Sequence, residues 1–365
     1  MNLLLLDQFS DPGGAQQALL EFLPAIAKRG WRALVGLPGE GKLFDLARGM
    51  GFETERIECG PYRSARKSIG DLGRFLGGTP RLARQIRRMA QRVEARLVYV
   101  NGPRLLPAAA LAGLRAPVLF HSHSYVGQGM ARRMAGLALR RIDARVVGNC
   151  EFVAAQWRPF VRAERVSVIF NGVAGPSAPA RRSREGAPRL GCVGRIAPEK
   201  GQLEFVAAAA AIDRALPGCR FVVYGAALFG DAGAERYFAE VRAAAEGLPV
   251  ELPGWTPDVY GAMAELDMLL VPSVGPEATT RVILEAFAAG VPVIAFETGG
   301  ISEVIEHGVT GLLARSAEEM ARQAVEALTG DPQRLRSMAG AARSAWESRF
   351  TQERFHEQLL REIET

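Results

Sequence analysis

Lysine is scarce in this chain: of 45 basic residues only four are lysine, and the rest are arginine. The arginine and alanine richness reads as a compositional bias, and it makes Lys200 conspicuous as a compact point charge kept where arginine is the default. Cysteine is equally sparse. The four cysteines (Cys59, Cys150, Cys192, Cys219) never form Cys-x-x-Cys, which argues against a zinc site or a disulfide framework and suits a reducing compartment. No apolar run reaches the ~18–20 residues that a bilayer crossing needs. Asp-x-Asp, a metal-bridging element, is absent, and so is Gly-x-Gly-x-x-Gly. The opening Met1-Asn2-Leu3-Leu4-Leu5-Leu6-Asp7 has no basic head and no cleavage site, so it is expected to be a first strand rather than a signal peptide.

What is present is a repeated alternation. At 365 residues the chain exceeds one ordinary core, and two domains are the natural expectation. Short apolar runs alternate with amphipathic helical stretches, the pattern of parallel sheets covered by helices. Strands are expected near 3–6, 33–36, 52–57, 97–100, 118–120, 145–147 and 166–169, then near 190–193, 221–224, 250–252, 268–271 and 291–295. Between the two sets lies a stretch rich in Pro, Gly, Ser and charge, the best linker candidate. The expected organisation is therefore an N-terminal domain at 1–173, a linker at 174–188, a second domain at 189–345 and a C-terminal helix at 346–365. The two domains are doubly wound α/β units facing across a cleft. Ligands in such sheets bind beyond the carboxyl ends of the strands, so motifs just after strands carry most weight.

Several motifs stand there. Ser10-Asp11-Pro12-Gly13-Gly14-Ala15 follows the first strand and opens a helix, a place where backbone can approach an anion closely. His121-Ser122-His123-Ser124 follows another strand and holds two of only four histidines. A histidine in such a loop can bond a substrate hydroxyl or carry a proton. His123, deeper into the loop, is the better placed. Gly194-Arg195-Ile196-Ala197-Pro198-Glu199-Lys200-Gly201 sets two cations at a strand-to-helix turn, suited to a diphosphate. Glu277 and Glu285, eight residues apart, put one carboxylate in a loop and one on the following helix, suited to gripping hydroxyls. Thr279 and Thr280 are expected to cap that helix, with nearby backbone N–H groups available to phosphate. Diphosphate plus polyol describes a nucleotide sugar.

The stretch 61–100 carries ten basic residues against two acids, with Arg81, Arg84, Arg87, Arg88 and Arg92 at helical spacing. It is either a solvated helix face or a dock for anionic lipid headgroups or a phosphorylated acceptor. No aromatic residues are interleaved in a stacking pattern, which argues against nucleic acid.

These motifs together resemble the retaining glycosyltransferases of family 4, which have the GT-B fold. The likeness spans nearly the whole chain and is strongest over 166–314. Ile169-Phe170-Asn171-Gly172-Val173 is similar to the segment ahead of the family's linker, and Val193 to Gly201 to its diphosphate turn. Pro253-Gly254-Trp255 is similar to a loop lining the nucleobase pocket, and Val271-Pro272-Ser273 through Glu285-Ala286 to the paired-glutamate signature. Val147 to Val153 is also similar, with a structural role. The resemblance implies two Rossmann-like domains facing across a cleft, with the C-terminal helix crossing back to the N-terminal one. It implies that Arg195 and Lys200 hold the diphosphate, Glu277 the transferred sugar and Glu285 the ribose. Gly13 and Gly14 would lie near the phosphates, Gly254 and Trp255 near the base, and His123 or His121 beside the donor sugar. Thr280 stands where the family usually has glycine, and the glycine loop runs into Ala15-Gln16-Gln17 without the usual acid. Both departures leave the donor sugar open.

The function so implied is metal-independent, retaining hexosyl transfer from a UDP- or GDP-type nucleotide sugar to a glycan, lipid-linked glycan or small molecule, with no cofactor. Its expected setting is polysaccharide or glycoconjugate biosynthesis in the cytoplasm, with peripheral membrane contact through 61–100. The alternatives are a nucleotide-sugar epimerase or hydrolase of the same architecture, and a non-catalytic binding subunit.

Overall fold

The computed structural model describes residues 1–11, 13–39, 41–59, 69–179, 186–227 and 232–365. The chain divides into two compact units, Met1–Phe170 with Phe355–Thr365, and Asn171–Arg354. Each unit has its own sheet, and every strand pairing among the described residues is parallel.

The first unit contains β1 (Asn2–Asp7), β2 (Arg32–Leu37), β3 (Glu53–Arg56), β4 (Leu97–Asn101), β5 (Val118–Ser122), β6 (Arg145–Gly148) and β7 (Val166–Val168), in the order β3-β2-β1-β4-β5-β6-β7. Side chains alternate across a strand, so the unbroken run Leu3 to Leu6 needs two apolar faces. It finds them. Leu3 and Leu5 pack with Phe22, Tyr99 and Leu119 on one face, and Leu4 and Leu6 with Ile86, Val98 and Phe120 on the other. The helix Gln352–Glu364 joins the first of these clusters through Phe355, Leu359, Leu360 and Ile363, spaced to share one helical face. Ser167 donates to Glu362 of that helix at 3.2 Å, and Arg145 on β6 lies 3.5 Å from the same carboxylate.

The second unit repeats the plan with β8 (Arg189–Val193), β9 (Arg220–Tyr224), β10 (Val250–Gly254), β11 (Met268–Val271), β12 (Val293–Phe296) and β13 (Leu312–Ala314), in the order β10-β9-β8-β11-β12-β13. In both sheets the strand order reverses beside the first strand, between β1 and β4 and between β8 and β11. Loops leaving those neighbouring strands turn to opposite faces and leave room at the carboxyl ends.

The units divide at 354/355 rather than at 345/346. The helix Pro332–Ala345 runs into a short π-helical turn, Trp346–Phe350, and Thr351 then leaves the helical region before the next helix begins. Trp346 and Phe350 stay with the second unit because they hold residue 173: the indole N–H donates to Val173 O at 3.1 Å, and Val173 N–H to Phe350 O at 3.0 Å. The Arg343 guanidinium stacks 4.3 Å from the Trp346 ring and donates to Pro176 O at 3.1 Å. Residues 171–173, expected in the N-terminal domain, and 174–179 of the expected linker thus belong to the second unit, while 180–185 lie outside the described residues. β13, only three residues long, has no counterpart in the sequence reading.

Leu359 is fully buried against the first unit's sheet. Leu359→Ala is expected to lower stability by about 2–5 kcal/mol, read from urea unfolding, because it removes transfer energy and leaves a cavity. A change below 1 kcal/mol would show that the helix packs loosely on that face.

Candidate active site

In the second unit the residues singled out by sequence gather at the reversal between β8 and β11. After β8 the chain passes Gly194 and Arg195, makes a tight turn at Pro198–Lys200, and enters the helix Gln202–Ala215 through Gly201 at φ +69°. A side chain at 201 is excluded twice over. That φ favours glycine, and a Cβ would stand 1.8 Å from Pro272 O in the loop after β11. The buried Gln202 stitches the turn, donating to Arg195 O at 2.9 Å and accepting from Ala197 N–H at 3.4 Å. Val274 N–H donates to Glu199 O at 3.1 Å, tying the two loops together.

This packing brings Lys200 to Glu277. The ammonium lies 2.9 Å from both carboxylate oxygens, and the Thr280 hydroxyl donates to Oε2 of Glu277 at 2.9 Å. The pair is partly buried, with side chains 24% and 17% exposed. The Glu277 backbone is also fixed. Its N–H donates to Gly275 O and its carbonyl accepts from Gly300 N–H, each at 2.9 Å, and a Cβ on Gly299 would meet that carbonyl at 1.8 Å. Arg195 turns instead to Glu199. Burial pushes the Glu199 carboxyl up, but its own backbone N–H and Arg195 outweigh this and hold it below the usual carboxylate range. Glu285 is 3.7 Å from Arg281, one turn earlier on the helix Arg281–Ala289.

The expected capping by Thr279 and Thr280 is not found. Thr280 occupies the cap position, yet its side chain makes no cap hydrogen bond, because the hydroxyl is directed to Glu277. Thr279 is buried, its hydroxyl without a partner among the described residues. The helix therefore opens without a side-chain cap close to the Lys200 ammonium, an arrangement able to receive an anion. Gly254, at φ +93°, and Trp255, 58% exposed, lie at the end of the edge strand β10, two strands from β8. That is about 10 Å across the sheet, and strand order alone does not bring them to the cations.

In the first unit, Gly14 begins the helix Gly14–Lys28, and Gly13 precedes it in extended conformation at φ −122°. Gly13 is thus not required by a left-handed turn, and a Cβ there would meet only the far end of the Gln16 side chain, at 2.9 Å. Pro12 lies outside the described residues. The two histidines differ. His121 is not in a loop but inside β5, buried, with Nδ1 2.5 Å from the Tyr99 hydroxyl and Nε2 without a partner among the described residues. Burial and the neighbouring His123 keep it well below its ordinary pKa and hence neutral. His123 comes just past the strand and is only partly buried, its ring 3.8 Å from that of His121 and its carbonyl accepting from Asn149 at 3.2 Å. Both ring nitrogens of His123 are nevertheless buried from solvent, as Nε2 of His121 is.

The sequence reading missed a buried polar group at the other reversal. Asp7 ends β1 and accepts from Phe9 N–H at 2.8 Å, from Gln16 at 2.9 and 3.1 Å, and from Asn101, the register partner on β4, at 2.5 Å. A lone carboxylate closing a four-leucine strand was the available signal. Burial pushes its pKa up to about 6, against the pull of those hydrogen bonds.

On the helix Ile69–Arg92, Arg81, Arg84, Arg87 and Arg88 are exposed, whereas Arg92 pairs with Glu53 and Glu55 at 2.8 Å each. Residues 61–68 of the basic stretch lie outside the described residues. Among the described residues no helix is long and apolar enough to cross a membrane.

Two family models match the chain, "Glycosyltransferase Family 4" over residues 12–174 and "Glycosyl transferases group 1" over 187–330. The chain belongs to this glycosyltransferase family, and its two sheets have the GT-B architecture. D-inositol 3-phosphate glycosyltransferase of Nocardia farcinica is 37% identical over 177 residues, 44% of this chain and 38% of the relative. 2-Deoxystreptamine glucosyltransferase of Streptomyces kanamyceticus is 35% identical over 155 residues, 41% of this chain and 38% of the relative. The chain thus spans less than two thirds of the length of the curated relatives it matches. The HepE protein of Anabaena, solved with UDP and glucose, superposes over 100% of both chains with a TM-score of 0.82 and 26% identity. Sucrose-phosphate synthase of Thermosynechococcus elongatus shares the fold, at 20% identity and a TM-score of 0.80 over 99% of this chain and 98% of that one.

The buried Asp7 makes stability depend on pH. Its folded pKa is about 6 against 3.8 for the free group, so folding favours the protonated form. The stability this confers is present below pH ~4 and is lost as pH rises through about 6, by roughly 3 kcal/mol. Urea unfolding of wild type and Asp7→Asn at pH 4 and pH 7.5 checks this. The difference between them is expected to move toward the wild type at the lower pH, and a difference that stays constant would show Asp7 ionised throughout.

Proposed function

We propose that this chain moves a sugar from a nucleoside-diphosphate sugar to a hydroxyl of an acceptor, with retention at the anomeric carbon. One observation carries the reading: Lys200, Glu277 and Thr280 meet at the reversal of strand order, beside the uncapped start of the helix Arg281–Ala289. That cluster pairs a cation and open N–H groups with a carboxylate, the two chemistries a sugar diphosphate requires. Retention rests on family membership alone.

In this reading Arg195, Lys200 and the helix N–H groups neutralise the departing diphosphate, and no cofactor or metal ion is part of the proposal. The bond from the anomeric carbon to the phosphate oxygen breaks as the acceptor oxygen bonds to the same carbon. The acceptor's proton leaves with the nucleoside diphosphate. Glu277 accepts a hydrogen bond from the transferred sugar, Glu285 from the ribose, and His123 lies beside the donor sugar. Gly13 and Gly14 let backbone approach the phosphates, while Gly254 and Trp255 line the base. Uridine is the first choice of base, supported by the likeness to a protein solved with UDP and glucose.

The acceptor is a glycan or a lipid-linked glycan in the making of cell-surface polysaccharide, and the place is the cytoplasm, in keeping with four free, buried cysteines. Peripheral contact with anionic lipid belongs to the same proposal. The helix Ile69–Arg92 exposes Leu76 among its arginines, a basic and partly apolar face.

Thermal shifts with UDP, GDP, ADP and CMP, on wild type, Arg195→Ala and Lys200→Ala, test the donor site. One nucleoside diphosphate at ~100 times its Kd should stabilise wild type by about 2.7 kcal/mol. Each variant should bind it 10- to 100-fold more weakly, as for loss of a charged hydrogen bond of about 1.5–3 kcal/mol. Binding that is unchanged in both variants removes the diphosphate site, and sugar release that needs no acceptor favours a hydrolase. For the membrane face, flotation with anionic vesicles should recover more protein than with neutral ones, and Arg84→Glu with Arg88→Glu should abolish the difference. Equal recovery on both vesicle types sinks this part of the proposal.

A further inference from the structure

We propose that Thr280 determines which hydroxyl pattern of the transferred sugar is accepted, by occupying one of the hydrogen-bonding positions of Glu277. The inference rests on the role given to Glu277 above and adds a specificity element to it.

Helix starts elsewhere in this molecule show what a residue in the position of Thr280 ordinarily does. Asp258 accepts from Gly261 N–H, Ser316 from Glu319 N–H, and Asp331 from Gln333 N–H, each capping its own helix. Thr280 occupies the same position and caps nothing. Its hydroxyl donates to Glu277 Oε2 at 2.9 Å.

The consequence follows from counting acceptor positions. A carboxylate oxygen takes about two hydrogen bonds. Oε2 receives Lys200 and Thr280, each at 2.9 Å, and is filled. Among the described residues Oε1 receives Lys200 alone, also at 2.9 Å, and keeps one position. Gly275 and Gly300 hold the backbone of Glu277, and because its two oxygens are equivalent a half-turn of the carboxylate still leaves the position beside Thr280 filled and the other open. A sugar hydroxyl therefore finds a single acceptor on Glu277. Without the Thr280 hydroxyl, Oε2 opens as well, and two adjacent ring hydroxyls can be gripped together. Thr280 makes the site read one hydroxyl where a residue without a side-chain donor would let it read two.

The test uses wild type, Thr280→Ser, Thr280→Val and Thr280→Gly. Glycine is well tolerated at a helix start and valine keeps the shape, so loss of folding does not confuse the result. Transfer is measured with donors that each lack one ring hydroxyl, on the nucleobase that binds. Affinity for the nucleoside diphosphate without sugar is measured alongside. Wild type and Thr280→Ser should lose kcat/KM strongly for one deoxy donor and tolerate its neighbour. Thr280→Gly and Thr280→Val should lose about tenfold or more for both, with diphosphate affinity unchanged. Identical deoxy profiles in all four proteins overturn the proposal while leaving the donor site standing. So does a uniform drop for every donor together with the bare diphosphate, which makes Thr280 a phosphate contact. If wild type binds no nucleoside diphosphate, the reading of the whole site falls, and this inference with it.

Discussion

Each sheet adds its second and third strands to one side of the first and its remaining strands to the other, and the rest of the molecule depends on that reversal. At the reversal the connecting helices lie on opposite faces, so the strand ends are left uncovered. Asp7 and Asn101 meet there in one sheet, and Lys200 and Glu277 in the other. The apolar strands, the double-faced leucine run and the helices around them form the frame that keeps those ends in register.

The frame is defined down to single backbone atoms. Gly201 against Pro272 O and Gly299 against Glu277 O are contacts with no space for a side chain, so the two loops approach as closely as bare backbone allows. Lys200 and Glu277 meet inside that packing. A partly buried ion pair is a poor source of stability, because removing both ions from water offsets much of their attraction. Its effect is on positioning: each partner is held before any ligand arrives. The ammonium has three N–H donors and gives two of them to Glu277, so an entering anion meets the third without breaking the pair.

The strands were readable because parallel strands buried on both faces are continuous apolar runs, and twelve of the thirteen were anticipated within a few residues. β13 was too short to leave a pattern. The cations and glutamates were readable through their spacing after strands, but their pairing was not. Whether Thr280 bonds its own helix or Glu277 depends on the distance between two loops far apart in sequence. His121 looked like loop because polar residues alternate after the strand, yet Tyr99, 22 residues away in the chain, supplies the partner that lets it stay buried. The tail looked like one amphipathic stretch from Trp346 onward, since the break at Thr351 is a backbone event with no proline or glycine to announce it.

The helix Gln352–Glu364 has a consequence for how the protein comes to be made. The second unit is continuous in sequence, from Asn171 to Arg354, while the first is completed only by Phe355–Thr365. On the ribosome the second unit can fold as soon as its own residues emerge. The first unit must wait, with the apolar face around Leu3, Phe22 and Tyr99 uncovered, until the whole of its inserted neighbour has been synthesised. The apolar surface exposed during synthesis is therefore concentrated in the unit that emerges ahead of its inserted neighbour and closes after it.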